Sequence, residues 1–296
     1  MKVFFLTIII LCIGVQAQAQ ISIKTEYMSQ SKYKDEHGNK VGGKGDMKAI
    51  HGKIQLPVSY KVDENERITA WAVATGISYA SMNNKGLSND LCLPELLNGQ
   101  VGLLHMRPIS DKWSILAMLG VGLFTSDLKH IQGRDILAVG GVTFIKHAKP
   151  NLDWGVGVAL NNVLGYPMIF PSFYFDWKLG GNYEVNVSVY NSAEVSAKMR
   201  VNKHLKLGIV AEGNGLSSVV KQDGKDMIFA CQYSHAGFQT EFTLGKYLTI
   251  PIVIGASISR DVYFTEKTIW ALFNSKDEYP SFSIAPYVSA GIKFGF

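Results

Sequence analysis

Between Phe282 and Phe296 the chain alternates with a period of two: Phe282, Ile284, Pro286, Val288, Ala290, Ile292, Phe294 and Phe296 are set against Ser283, Ala285, Tyr287, Ser289, Gly291, Lys293 and Gly295. Alternate side chains of a strand point to opposite faces, so one face of this segment is apolar along its whole length and the other is small or polar. About fourteen strands are predicted, with twelve as the alternative, at residues 21–30, 50–62, 67–82, 96–107, 113–123, 135–147, 152–161, 169–179, 183–190, 193–201, 205–212, 227–244, 248–258 and 282–296; the same period recurs in most, less cleanly in 96–107, and does not separate the two faces of 135–147. Strand 67–82 carries Trp71, Val73, Thr75, Ile77 and Tyr79 on one face. Eight steps of ~3.3 Å span about 26 Å, and a tilt of roughly 40° reduces that to about 20 Å, close to the apolar band of a membrane barrel. In strand 152–161, Leu152, Trp154, Val156, Val158 and Leu160 oppose Asp153, Gly155, Gly157, Ala159 and Asn161. Alternation slips at 234–237, which predicts a bulge there.

Connections fall into two sets. Those at 31–46, 83–94, 214–225 and 263–279, with one opening at Asp127, are the longer ones; those at Asp63, Ser110, Pro150, Gly180, Asn202 and Gly245 are mostly short. An even strand count puts the two sets at opposite ends of one up-and-down sheet. Within the last long connection, Thr265-Glu266-Lys267-Thr268 followed by Ile269 to Phe273 predicts a short capped helix with an apolar cluster at Trp270 and Phe273.

Composition favours one β domain. Apolar residues make up 47% and charged residues 18% of 296, with 29 glycines, so disorder is excluded. Residues 1–19 read as an export signal: Lys2, an apolar run from Val3 to Val15, and Ala17-Gln18-Ala19 as the cleavage site, leaving 20–296 as the mature domain. Removing Lys2 lowers the formal charge from +5 to about +4, and no basic run accompanies it, so nucleic acid is not an expected partner. Cys92 and Cys231 could pair in an oxidising compartment, and sequence leaves that open.

With an export signal at one end and a strand ending on an aromatic at the other, the chain resembles Gram-negative outer-membrane β-barrels of uncharacterised function. That resemblance implies an all-β, single antiparallel up-and-down transmembrane barrel in the cell outer membrane. It also implies outer-membrane lipid around it, and a barrel-assembly machinery that reads the last strand through Phe296. An exported soluble sandwich is the competing architecture.

If the apolar faces meet lipid, the charged ones must face inward, since a lipid-facing Lys or Arg costs roughly 2–4 kcal/mol at the midplane. Asp176, Lys178, Glu184, Glu194, Lys198, Arg200, Lys206 and Glu212 fall on that side of consecutive strands and are the candidate lumen-lining or ligand-binding residues, with Trp270 and Phe273 at the mouth. No hydrolase, zinc, phosphate-loop or dinucleotide motif follows the signal, and Ser234-His235, being adjacent, face opposite ways. His37, His105, His130, His147 and His204 lack metal-ligand spacing, so no catalytic residue, metal or cofactor is expected. The expectation is a narrow passive pore or structural membrane component with a charged lumen. The alternatives are a barrel that binds or transports a small or hydrophobic ligand and, behind that, a lipid-modifying enzyme.

Overall fold

A computed structural model describes residues 19–64, 67–161, 168–177, 182–188, 193–222, 224–266 and 279–295. The signal residues 1–18, the predicted helix at 267–273 with Trp270 and Phe273, Lys178 and Phe296 lie outside this set. Its strands are β1 (Gln20–Lys34), β2 (Lys44–Val62), β3 (Ile68–Lys85), β4 (Glu95–Ser110), β5 (Trp113–Thr125), β6 (Ile136–Lys149), β7 (Leu152–Asn161) and β8 (Met168–Trp177). They continue with β9 (Tyr183–Ser188), β10 (Ala193–Asn202), β11 (Leu205–Gln222), β12 (Lys225–Leu244), β13 (Leu248–Glu266), β14 (Ser281–Phe282) and β15 (Ala285–Phe294).

From β1 to β8 and from β9 to β13 each strand pairs antiparallel with its sequence neighbours, and the first meets the last: β1 pairs with both β14 and β15, which share one stave of the sheet. That makes fourteen staves. The two ends of the path, β8 and β9, are consecutive in the chain and lie against each other. The sheet therefore curls around an interior, and side chains meet across it. Asn98 of β4 exchanges two hydrogen bonds with the backbone of Ser217 in β11, Nδ2 donating to the carbonyl at 2.5 Å and Oδ1 accepting from the amide at 3.0 Å.

The faces are inverted relative to a water-soluble sandwich. Along β15 the small and polar positions Ala285, Tyr287, Ser289 and Gly291 are buried, while Val288, Ile292 and Phe294 are exposed. Outward-facing Leu119, Phe238 and Ile254 are 75%, 77% and 65% exposed, whereas inward Glu26, His235, Arg260 and Glu241 are at most 7% exposed. Aromatic residues gather at the short-turn end: Trp71 stacks on His105 at 4.0 Å, Trp113 meets Trp154 edge-on at 5.9 Å with the Lys146 ammonium over both rings, and Tyr247 approaches Phe294 at 6.2 Å.

Strands run further on the long-loop side than their alternation predicts. Residues 214–222 continue β11, paired with β12 from Asn214↔Tyr233 to Gln222↔Lys225, and the predicted loop at 214–225 shrinks to a turn closed by Gly224 at φ 79°. Likewise β1 reaches Lys34, β2 begins at Lys44 and β13 reaches Glu266. The bulge opposite 234–235 belongs to β13: Ser234 pairs with Ser259 and His235 with Ser257, so Ile258 is the extra residue and β12 itself runs straight. Glycines permit the coiling. A Cβ on Gly157 would collide with the Val142 carbonyl, and one on Gly255 with the Ala236 carbonyl, both in the adjacent strand.

On the long-loop side the interior is packed dry by Met28, Met47, Leu96, Leu216, Phe229, Cys231 and Phe282, with Cys92 from the β3–β4 connection. Arg260 lies in this layer, its guanidinium 3.8 Å from the Phe282 ring centroid and donating to the Gly45 carbonyl at 2.7 Å.

Candidate functional site

Toward the short-turn end the interior turns polar. Inward positions of β1, β2, β11, β12 and β15 bring Lys24, Glu26, His51, Glu212, Tyr233, His235 and Tyr287 into one cluster. Lys24 Nζ lies 2.5 Å from Glu26 Oε1 and 2.8 Å from Glu212 Oε2. Glu26 also accepts from Tyr233 Oη and Tyr287 Oη, each at 3.0 Å, and its Oε2 is 3.2 Å from His51 Nε2. A buried carboxylate with this many donors is compensated in place. His235 stacks on Tyr287 at 3.9 Å, with Nε2 3.6 Å from Glu212.

A second network sits beside it. Glu184 bridges Arg200 at 2.9 Å and Lys206 at 2.8 Å, while Glu241 takes Lys198 at 2.9 Å and Lys206 at 3.6 Å. Of the predicted lumen residues, Glu184, Lys198, Arg200 and Lys206 thus join one network and Glu212 joins the Lys24 cluster. Glu194 lines the cavity described next, accepting from Ser196 Oγ at 3.2 Å. Asp176 lies on β8, opposite Asp153 in register. Lys24, Glu26, His51, Tyr233, His235 and Glu241 were not among the predicted site residues, although Lys24, Glu26 and His51 occupy polar positions of the same alternation.

Between the charged cluster and the glycine-rich wall of β3 to β7 lies a cavity of about 320 Å³. Lys24, Lys53, Lys293, His51, Glu194 and Glu212 face it on one side; Gly76, Gly99, Gly141, Met118 and Phe124 face it on the other. Ser78 Oγ lies 2.8 Å from His51 Nδ1, so Ser78, His51 and Glu26 form a hydrogen-bonded chain at its wall. Nucleophilic catalysis would also need donors for an oxyanion. Here Ser78 is a ladder residue, paired with His51 on one side and Asn98 on the other. Ser234 faces away from His235 and bonds Ser259 Oγ at 2.8 Å.

Ligand atoms of Glu26, Glu212 and His235 lie within 4.8 Å of one another, the one such group of metal-ligating side chains among the described residues. The Lys24 ammonium already bridges its two carboxylates and supplies the cation. Cys92 and Cys231 share the buried layer as free thiols.

Outside the strands, the Asp127 carboxyl is held below its usual range of 3.8 by His130 Nδ1 at 3.0 Å and by two loop amides. Burial pushes the Cys92 thiol up to about 11.

Residues 15–295 match the family described as a domain of unknown function, DUF6268. The chain belongs to the DUF6268 family. No curated protein matches this DUF6268 chain in sequence. Among solved structures it is similar to the COG4313 outer membrane channel from Pseudomonas putida F1, at 9% identity over 95% of this chain and 97% of that one, with a TM-score of 0.45. It is also similar to the NanC porin, at 9% identity over 93% and 98% of the two chains with a TM-score of 0.36, and to a Pseudomonas aeruginosa FadL homologue, at 9% over 94% and 90% with a TM-score of 0.37.

Proposed function

We propose that this DUF6268 protein is an exported outer-membrane β-barrel that acts as a narrow passive pore for small solutes, held nearly closed at its long-loop end. The observation that carries this is the inversion of the sheet, with Leu119, Phe238 and Ile254 facing out and Glu26, His235 and Arg260 buried within. Only a solvent of acyl chains makes that arrangement favourable. Residues 1–19 act as the export signal, and the last strand, β15, together with Phe296 two positions after it in sequence, is the part presented to the assembly machinery. Glu184, Glu194, Lys198, Arg200, Lys206 and Glu212, with Lys24, Lys53 and Lys293, line the polar part of the path. Asp176 on β8 extends that lining; Lys178, the other residue expected there, lies outside the described residues. The role is not enzymatic.

Met28, Met47, Phe229 and Phe282 across the upper interior make the pore narrow. Reconstituted in planar bilayers, the full mature chain is expected to show small, infrequent conductance steps that become frequent on Phe229→Ala. Large, steady steps from the unaltered protein, or none from either form, would sink the pore reading.

The cavity favours a second reading, a barrel that retains a small polar ligand. Native mass spectrometry of gently extracted protein tests it, and protein free of any bound solute counts against it.

A further inference from the structure

On the outer face, above the apolar belt at the long-loop end, three lysines stand in one row across three hydrogen-bonded strands. Lys32 of β1 pairs in register with Lys44 of β2, and Lys44 pairs with Lys85 of β3. All three are exposed, and none forms an ion pair among the described residues. Like charges placed directly opposite one another weaken a sheet. The arrangement also depends on a bulge. Outward residues of lower β1 are Ile23, Thr25 and Tyr27, and the extra residue between Met28 and Ser31 shifts the parity so that Lys32 faces out while Tyr33 turns in. Without it, Lys32 would point into the apolar interior.

Four residues below Lys44 on the same face, Lys48 is also exposed and is opposite Tyr27 and Ser81 in register. Four steps cover about 13 Å of strand, or about 10 Å of height at a tilt near 40°. Nearby acids hydrogen-bond neutral groups and not these lysines: Asp46 accepts from Asn83 at 3.2 Å, Glu95 from Tyr79 Oη at 3.0 Å, and Asp35 from the amides of His37 and Asn39. Directly beside Lys48 opens a mostly apolar outer-face cleft, bordered by Tyr27, Ile50, Tyr79, Val288 and Ala290.

We infer that this face, Lys32, Lys44, Lys85 and Lys48 above the Tyr27–Ile50–Tyr79 cleft, is a binding site for a membrane lipid with a phosphorylated headgroup. The lysines hold the phosphates, and the cleft takes an acyl chain. This rests on the membrane-barrel reading above. An amphiphile is the occupant because the charged and apolar parts are stacked in the order of a lipid's head and tail, and the anion offsets the repulsion along the lysine row.

The test uses the full mature chain and two probes, lipid A bearing its phosphates and the same lipid A with the phosphates removed. Protein in neutral detergent is incubated with each probe, freed of excess lipid by gel filtration, and its bound lipid counted by native mass spectrometry. The expected result is retention of the phosphorylated form, at least tenfold less retention by the K32Q/K44Q/K48Q/K85Q variant, and little retention of the dephosphorylated form. Inorganic phosphate at millimolar concentration should not displace the lipid. Equal retention of both probes, equal retention by the variant, or displacement by inorganic phosphate would each overturn the site. Folding of the variant is checked by heat-modifiable gel migration, and Ile50→Asn, which spoils the cleft and leaves every lysine, should lower retention independently. Vesicle flotation separates the two levels of failure. If the protein does not float with phosphatidylcholine vesicles, the membrane reading itself falls; if it floats but retains lipid without regard to phosphate, this site alone does.

Discussion

Lys24 stands between Glu26 and Glu212, and removing it would strand Glu26, which is 4% exposed, without its closest cation. Breaking a buried pair from one side commonly costs about 3–5 kcal/mol, whereas removing both charges costs far less. Lys24→Met should therefore destabilise the folded protein by about that amount in urea titrations in detergent, with His51 supplying partial relief, and K24M/E26Q/E212Q, which neutralises both carboxylates that Lys24 bridges, should recover most of the loss. At the loop, Asp127 has its folded pKa depressed by His130 and two amides. Its contribution to loop order is fully present above the unfolded value near 3.8 and is lost as pH falls through the still lower folded value. Protection of amides 127–130, taken relative to the intrinsic exchange rate at each pH, should fall as pH drops below about 4, and Asp127→Asn should remove that dependence. The Lys24–Glu212 partnership was hidden from sequence because it is not local, unlike the Asp127–His130 contact three residues apart. Lys24 and Glu212 are 188 positions apart, and only the closing of the sheet brings them together.

At the level of single strands the alternation was legible in most of the fourteen staves; it was weak in 96–107 and did not separate the faces of 135–147, yet β4 and β6 lie there. Their lengths were not. Asn214, Ser217 and Ser218 have loop-like composition, yet they pair in β11, and Ser217 is held across the interior by Asn98. The bulge was assigned to β12 because Ala236 and Gly237 blur the chemical pattern there, although the extra residue is Ile258 on β13. A charge on the apolar face tests the strand assignment directly. Leu119→Arg in the middle of β5 should cost about 2–4 kcal/mol of folded stability in lipid, read from equilibrium unfolding in vesicles. Gln100→Lys, which faces the cavity from adjacent β4, should cost much less.

For the molecule as a whole, the upper packing couples strands far apart in the chain. Cys92, from the β3–β4 connection, and Cys231, from β12, lie in one dry layer. Burial holds the Cys92 thiol near 11, so in the closed layer it is only about one part in a thousand thiolate at pH 8, and alkylation must wait for the layer to open. If that layer opens as a unit, both cysteines should be alkylated at one common slow rate, and Phe229→Ala should speed them together. Two well-separated rates would show that it opens piecemeal.

The pairing of β1 with β14 and β15 has a further consequence for biogenesis. The first stave to be synthesised waits for the last one, so neither exposed edge can be hidden until nearly the whole chain has been delivered. A chain cut short before residue 281 would therefore keep two sticky margins for the rest of its life.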